Sequence, residues 1–299
     1  MKWTNVFQEK CLFPFLMAMS LLTRLPATYF LSKYTASGQW DNEQQGLSSL
    51  YYPCVGFVLA CLLFLFFFLL PLSFSPIIAA ALIVILWVFL TGALHLDGLA
   101  DSVDAAFFSH HLIIHPSLEL NHVSDNKQGE SNTNDVNDKN HENITRILAV
   151  FKDPNAGAMA VVALVLTLML KVLLVYQLIE QFRELLWVVL LSALVLSRTL
   201  VLLLITSTPY VSPNGLGSAL TQHARKGYAY VIVGVITVSV FLLLPFLTAL
   251  ALTLSMSLLF FLWRRFWLRR IGGFVGDCAG ALIEMSELLV LLVLYFAYL

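Results

Sequence analysis

A chain of 299 residues with 59% hydrophobic and only 12% charged residues lies well outside the composition of soluble domains, in which about a quarter of residues are charged. Its formal net charge of −1 provides no electrostatic footprint for nucleic acid. The four cysteines (Cys11, Cys54, Cys61 and Cys278) form neither a CxxC pair nor the disulfide framework of a secreted protein. With a mean hydropathy of +0.84, the composition implies an all-α, polytopic integral membrane bundle in contact with lipid.

Apolar runs fall near 12–31, 48–74, 77–96, 157–179, 185–206, 228–263 and 280–298. Each has the roughly 20 residues needed to cross the hydrocarbon core. The first lacks a small-residue cleavage site and reads as retained. Arg24 and Pro26 interrupt it, so it is either a full span or a helix that bends at the interface. The sixth run, 36 residues with Pro245 inside, is too long for one pass and predicts a hairpin of 228–244 and 246–263. The total is then about seven to eight transmembrane or membrane-embedded helices.

Loop charges support the split. Lys127, Lys139, Arg146 and Lys152 place the loop 97–156 in the cytoplasm by the positive-inside rule, and Arg225 and Lys226 place 207–227 there too. Splitting the sixth run returns Arg264, Arg265, Arg269 and Arg270 to the same side. Within the cytoplasmic loop, about 112–143 is Asn-rich with few large apolar residues, which predicts a disordered segment within a single membrane domain spanning 1–299. The histidines scattered through that segment read as solvated rather than as metal ligands. No internal or inverted repeat is evident.

Three polar groups interrupt this apolar background. The first is Asp97, Asp101 and Asp104 in "HLDGLADSVDA", where the i, i+4, i+7 spacing puts all three carboxylates on one helix stripe. Like charges so placed repel, and a divalent cation such as Mg²⁺ or Mn²⁺ relieves the repulsion. The second is "RILAVFKDPNAG", where Arg146 and Lys152 suit phosphate and Asp153 is a further acid. The third is "RRIGGFVGDCAGALIEMSELL", with Asp277 at the start of the last helix and Glu284 and Glu287 on its face. Glutamates inside a span are costly toward lipid, so they are expected to face the protein interior or a hydrated cavity.

On the predicted topology all three groups share the cytoplasmic face, which describes a pocket for metal-assisted phosphoryl transfer. A cation-coupled transporter is the rival class; its charges belong near mid-membrane on broken helices. An anchoring subunit is the third.

At these residues the sequence resembles the cobalamin synthase family, the adenosylcobinamide-GDP ribazoletransferases. The likeness rests on "TGALHLDGLADSVDA" and "RRIGGFVGDCAGALIEMSELLVLLVL", supported by "LLTRLP", "RILAVFKDPNAG" and "NGLG", and covers the chain outside 112–143. The acidic motif is also similar to that of CDP-alcohol phosphatidyltransferases. The resemblance implies a Mg²⁺-dependent enzyme of the bacterial inner membrane that joins adenosylcobinamide-GDP and α-ribazole, or α-ribazole 5′-phosphate, and releases GMP. It implies Asp97, Asp101 and Asp104 as metal ligands, one of them also the catalytic base, with Asp277 as a candidate fourth carboxylate. It implies Arg146 and Lys152 on pyrophosphate and Asp153 beside Lys152, leaving the part of His95 in substrate binding open.

Overall fold

The computed structural model describes residues 8–27, 29, 42–71, 73–114, 133–212 and 216–298. In a lipid core every backbone N–H and C=O must be satisfied within the chain, and this sequence does so with helices. After a π-turn at Gln8–Leu12 come α1 (Phe13–Leu22), α2 (Asn42–Ser48), α3 (Tyr52–Leu69), α4 (Pro76–Thr91), α5 (Leu94–Ile114) and α6 (Thr133–Val150). They are followed by α7 (Ala158–Phe182), α8 (Leu186–Ser207), α9 (Leu216–Gln222), α10 (Lys226–Leu243), α11 (Phe246–Ile271) and α12 (Gly276–Tyr298). Among the described residues there is no strand, only one parallel bridge between Tyr210 and Phe274.

Five helical stretches are long and apolar enough to cross a membrane, or six if the α4–α5 pair is one broken span. That is fewer than the seven to eight expected. Part of the difference lies in α7 and α8, which form one continuous stretch of 50 residues, Ala158–Ser207. A straight helix of that length would run about 75 Å. Yet Lys171 on α7 and Arg198 on α8 both bond Glu287 on α12. The chain therefore reverses at the short 3₁₀ turn Arg183–Leu185, where Phe182 leaves helical dihedrals (φ −139°, ψ 44°). Pro245 likewise separates α10 from α11, as its place in the sequence predicts.

The first apolar run is shorter than a span. Helix α1 has 10 residues, a rise of about 15 Å against a core of about 30 Å. It stops at Thr23, whose hydroxyl and N–H both turn back to the Met19 carbonyl. Of the rest of that run, residues 28, 30 and 31 lie outside the described residues. Of the polar segment at 112–143, residues 115–132 also lie outside them, and Thr133 onward begins α6.

Helix α8 is buried nearly all round and forms the axis of the bundle, packed against α3, α12 and α10. The outer faces of α7 and α10 carry exposed Leu166, Met169, Val231, Val235 and Leu242, an apolar surface suited to lipid. The acidic helix α5 packs along α12 and α7.

One joint positions α5. Helix α4 closes with two consecutive left-handed residues, Gly92 (φ 62°) and Ala93 (φ 57°). Their N–H groups return to Phe89, and to Val88 at 3.1 Å, a closing pattern that satisfies the last carbonyls of α4. The chain then bends by 85° and starts α5, with Asp97 N–H on the Ala93 carbonyl. The apolar pass thus ends at the bend, and the aspartates lie beyond it. At Gly92 a β-branched side chain would have to adopt a left-handed backbone while meeting Arg24, which packs over the turn. Gly92→Val is expected to cost about 1–2 kcal/mol, read as a lower midpoint of thermal unfolding in detergent.

Candidate active site

Three chain segments meet where the sequence places its polar groups. Gly98 gives α5 its close approach to α12: a Cβ there would lie 2.7 Å from the Asp277 carbonyl oxygen. With the helices this close, Asp97 and Asp101 stand beside Asp277 at the first turn of α12. Asp104, two turns along α5 from Asp97, accepts the Gly157 N–H at 2.6 Å and the Ala160 N–H at 3.2 Å. Those are free donors at the start of α7, so Asp104 caps that helix and fixes it to α5. The segment before α12 is held by the Tyr210–Phe274 bridge: Val211 donates to the Phe274 carbonyl and Phe274 to the Pro209 carbonyl, each at 3.0 Å. Arg264 on α11 completes the frame, donating to the Ser207 carbonyl and Thr208 Oγ1 at the end of α8.

The electrostatics follow from this convergence. Burial, then the charges of Asp277, Asp97 and Asp104, push the Asp101 carboxyl from its ordinary range up to about 6. Among the described residues none of the four carboxylates pairs with a lysine or arginine. Hard oxygen donors carrying unbalanced negative charge fit a divalent cation chemically. They are not drawn together as a finished ligand set, for no group of three or more His, Cys, Asp or Glu is so arranged among the described residues.

Beside the carboxylates a cavity of about 520 Å³ opens between α8 and α12. Lys152 and Asp277 stand on it, and buried His95 lines it from the start of α5. Two of the sequence-named residues are not brought here. Arg146 pairs with Glu142 one turn back on α6, at 2.8 Å. Asp153 is fully exposed and accepts Asn155 N and Nδ2, both at 2.9 Å, bonds that hold its carboxyl below the usual range.

Deeper in the bundle lies a group that sequence reasoning only half identified. Glu284 and Glu287 do face the interior, 3% and 0% exposed. Their partners were missed: Lys171 Nζ donates to both at 2.7 Å, and Arg198 donates to Glu287. Lys171 also lies 4.6 Å from the Trp87 ring centroid on α4. The signal was present as a single basic residue inside each of two apolar runs, "LMLKVLL" and "LVLSRTLV". Two positive and two negative side chains make the group neutral.

A family model described as cobalamin-5-phosphate synthase matches residues 14–112 and 136–295. The chain belongs to that family. It is 38% identical to adenosylcobinamide-GDP ribazoletransferase of Stutzerimonas stutzeri (strain A1501), over 93% of this chain and 96% of that one. It is 37% identical to the protein of the same name in Pseudomonas putida (strain W619), over 95% and 99%. A third such protein, from Pseudomonas savastanoi pv. phaseolicola, is 36% identical over 94% and 98%. No solved structure matches the chain. In this membrane-embedded member of the cobalamin-5-phosphate synthase family, the gap in the match, 113–135, separates α5 from the site-bearing end of α6.

The α5–α12 contact is the feature most open to test. In Gly98→Leu the added side chain strikes the α12 backbone and parts Asp97 and Asp101 from Asp277. Activity is expected to fall at least tenfold while far-UV circular dichroism keeps its helical amplitude.

Proposed function

We propose that this chain is an adenosylcobinamide-GDP ribazoletransferase acting at the last joining step of cobalamin nucleotide-loop assembly. The observation that carries the reading is the set of unpaired carboxylates from two helices beside a lysine and a cavity, in a chain similar along nearly its whole length to proteins of that name. The substrates are adenosylcobinamide-GDP and α-ribazole or its 5′-phosphate, and the products are adenosylcobalamin or its 5′-phosphate and GMP. The membrane is the bacterial inner membrane, with the site on the cytoplasmic side, as the basic loops indicate.

The reaction is a displacement at phosphorus. The α-ribazole hydroxyl oxygen forms a bond to the cobinamide-proximal phosphorus, the bond from that phosphorus to the bridging oxygen breaks, and GMP leaves with the electron pair. A site for this must hold a pyrophosphate, take a proton and exclude water. Lys152 at the cavity rim is placed to bind pyrophosphate oxygens. Asp97, Asp101, Asp104 and Asp277 are the groups to hold Mg²⁺, which when bound neutralises charge on the phosphate and the leaving group. One of the α5 aspartates accepts the proton. Asp104, with both oxygens on backbone N–H groups, has the most fixed position of the three.

The transporter reading loses its main support from the buried charges. Lys171, Arg198, Glu284 and Glu287 lie at mid-membrane depth but balance one another, so no net charge remains there for a coupling ion. None of the four lines the cavity. The deciding experiment uses membranes containing Asp101→Asn, supplied with adenosylcobinamide-GDP, α-ribazole and Mg²⁺. GMP release is expected to fall by a factor of about a hundred or more, the scale of losing an acid–base group. Turnover like the parent's would remove Asp101 from the site.

A further inference from the structure

At the end of α8 a second cavity, of about 450 Å³, adjoins the one that carries Lys152 and Asp277. The two share Ile205, Tyr210 and Val211 as walls. Tyr210 divides them. Its ring meets Phe274 edge-on, with 5.3 Å between centroids, and rests on Gly217, where a Cβ would lie 2.5 Å from the ring. The last glycine of "NGLG" is therefore the residue that lets this partition close. The short helix α9 turns Gly217 and Leu220 to the first cavity and Ser218, Thr221 and Gln222 to the second.

The second cavity is rich in hydrogen-bond donors and has no carboxylate in its lining among the described residues. Thr206, Ser207 and Thr221 spend their hydroxyl hydrogens on carbonyls of their own helices. Other donors stay available. Ser218 Oγ accepts Gln222 Nε2 at 3.0 Å, which leaves its own hydrogen and the second amide hydrogen of Gln222 to donate. Buried Thr208 accepts Arg264 Nε at 3.1 Å, so a guanidinium stands behind its hydroxyl. Lys226, exposed at the first position of α10, forms no ion pair among the described residues, for the adjacent Arg225 is the one that takes Glu43. An ammonium and several donors without a balancing acid select an anion, and phosphate oxygens accept from several directions at once.

We infer that this second cavity binds the 5′-phosphate of the acceptor, α-ribazole 5′-phosphate, with Lys226 as its counter-ion. The assignment rests on the reaction proposed above and fixes where one end of one substrate lies. That reaction offers two sources of phosphate, the acceptor and the guanosine diphosphate, and their connectivity separates them. The two phosphorus atoms of a pyrophosphate share one oxygen. Both therefore stay on the side of Tyr210 where Lys152 and Asp277 stand. The acceptor's phosphate is set off from the attacking hydroxyl by the sugar, a spacing that passes Tyr210 from one cavity into the other. The acceptor is then held at both ends, its phosphate on Lys226 and its hydroxyl toward the α5 and α12 carboxylates, which orients it for attack.

The test compares α-ribazole 5′-phosphate with α-ribazole on the full-length protein in detergent, with turnover measured as GMP release and binding by equilibrium dialysis. The parent is expected to have a KM for the phosphorylated acceptor about tenfold or more below that for α-ribazole, the scale of one charge-assisted hydrogen bond. Lys226→Met is expected to lose that difference, and Lys226→Arg, which keeps the charge, to retain most of it. Lys226 is exposed, so far-UV circular dichroism of Lys226→Met is expected to match the parent's. A parent without the difference, an undiminished difference in Lys226→Met, or a rise in KM confined to adenosylcobinamide-GDP overturns the assignment. If α-ribazole 5′-phosphate binds the parent more tightly than it binds Lys226→Met, yet no GMP is released, the catalytic reading falls and the phosphate site stands.

Discussion

Glu287 is fully buried and accepts hydrogen bonds from Lys171 and Arg198, and this one carboxylate fixes how three membrane passes stand against each other. It lies eleven residues into α12, about 16 Å from its start; Lys171 lies thirteen into α7, about 20 Å; Arg198 lies nine from the end of α8, about 14 Å. These similar depths mean that α7 begins, α8 ends and α12 begins at one face of the membrane. Glu284 supplies the second negative charge and Trp87 a ring face, so a fourth helix is drawn in. A lone charge at such depth is expensive, and removing one member of a buried pair costs about 3–5 kcal/mol because the survivor is left uncompensated. The passes consequently have little freedom to slide.

What that register provides is a set of helix ends. The start of α7 presents the N–H groups that Asp104 accepts, and the start of α12 presents Asp277 to Asp97 and Asp101. Between α8 and α12, just above the ion cluster, the cavity opens toward Lys152. Burial first, and then the neighbouring carboxylates Asp277, Asp97 and Asp104, disfavour the charged form of Asp101, whereas the cluster below pairs each of its charges. Charge is balanced in the buried cluster, while the α5 and α12 carboxylates have no basic partner among the described residues.

Much of this was legible in the sequence where a local rule has only one solution. The 4-then-3 spacing of Asp97, Asp101 and Asp104 gives one stripe on any helix, and Pro245 inside 36 apolar residues has to separate two passes. The interior placement of Glu284 and Glu287 followed from the cost of a carboxylate facing lipid. Their partners did not follow, because pairing across 113 residues, Lys171 to Glu284, depends on tertiary register that no local period encodes. The same is true of the bend at Gly92, where glycine near the end of an apolar run does not specify the direction the next helix takes. Arg146 and Asp153 illustrate the converse. Their residue types suit a phosphate site, yet Glu142 and Asn155, close by in sequence, engage them first.

A neutral buried cluster, rather than apolar packing alone, holds the polar helix ends in register. The most direct measurement compares thermal unfolding in detergent for Lys171→Met, Glu284→Gln and the double variant. Lys171→Met alone is expected to be strongly destabilised, because it leaves two buried carboxylates facing one arginine. The double variant, which restores one charge of each sign, is predicted to recover most of that loss. Equal, additive losses from the two single changes would contradict it.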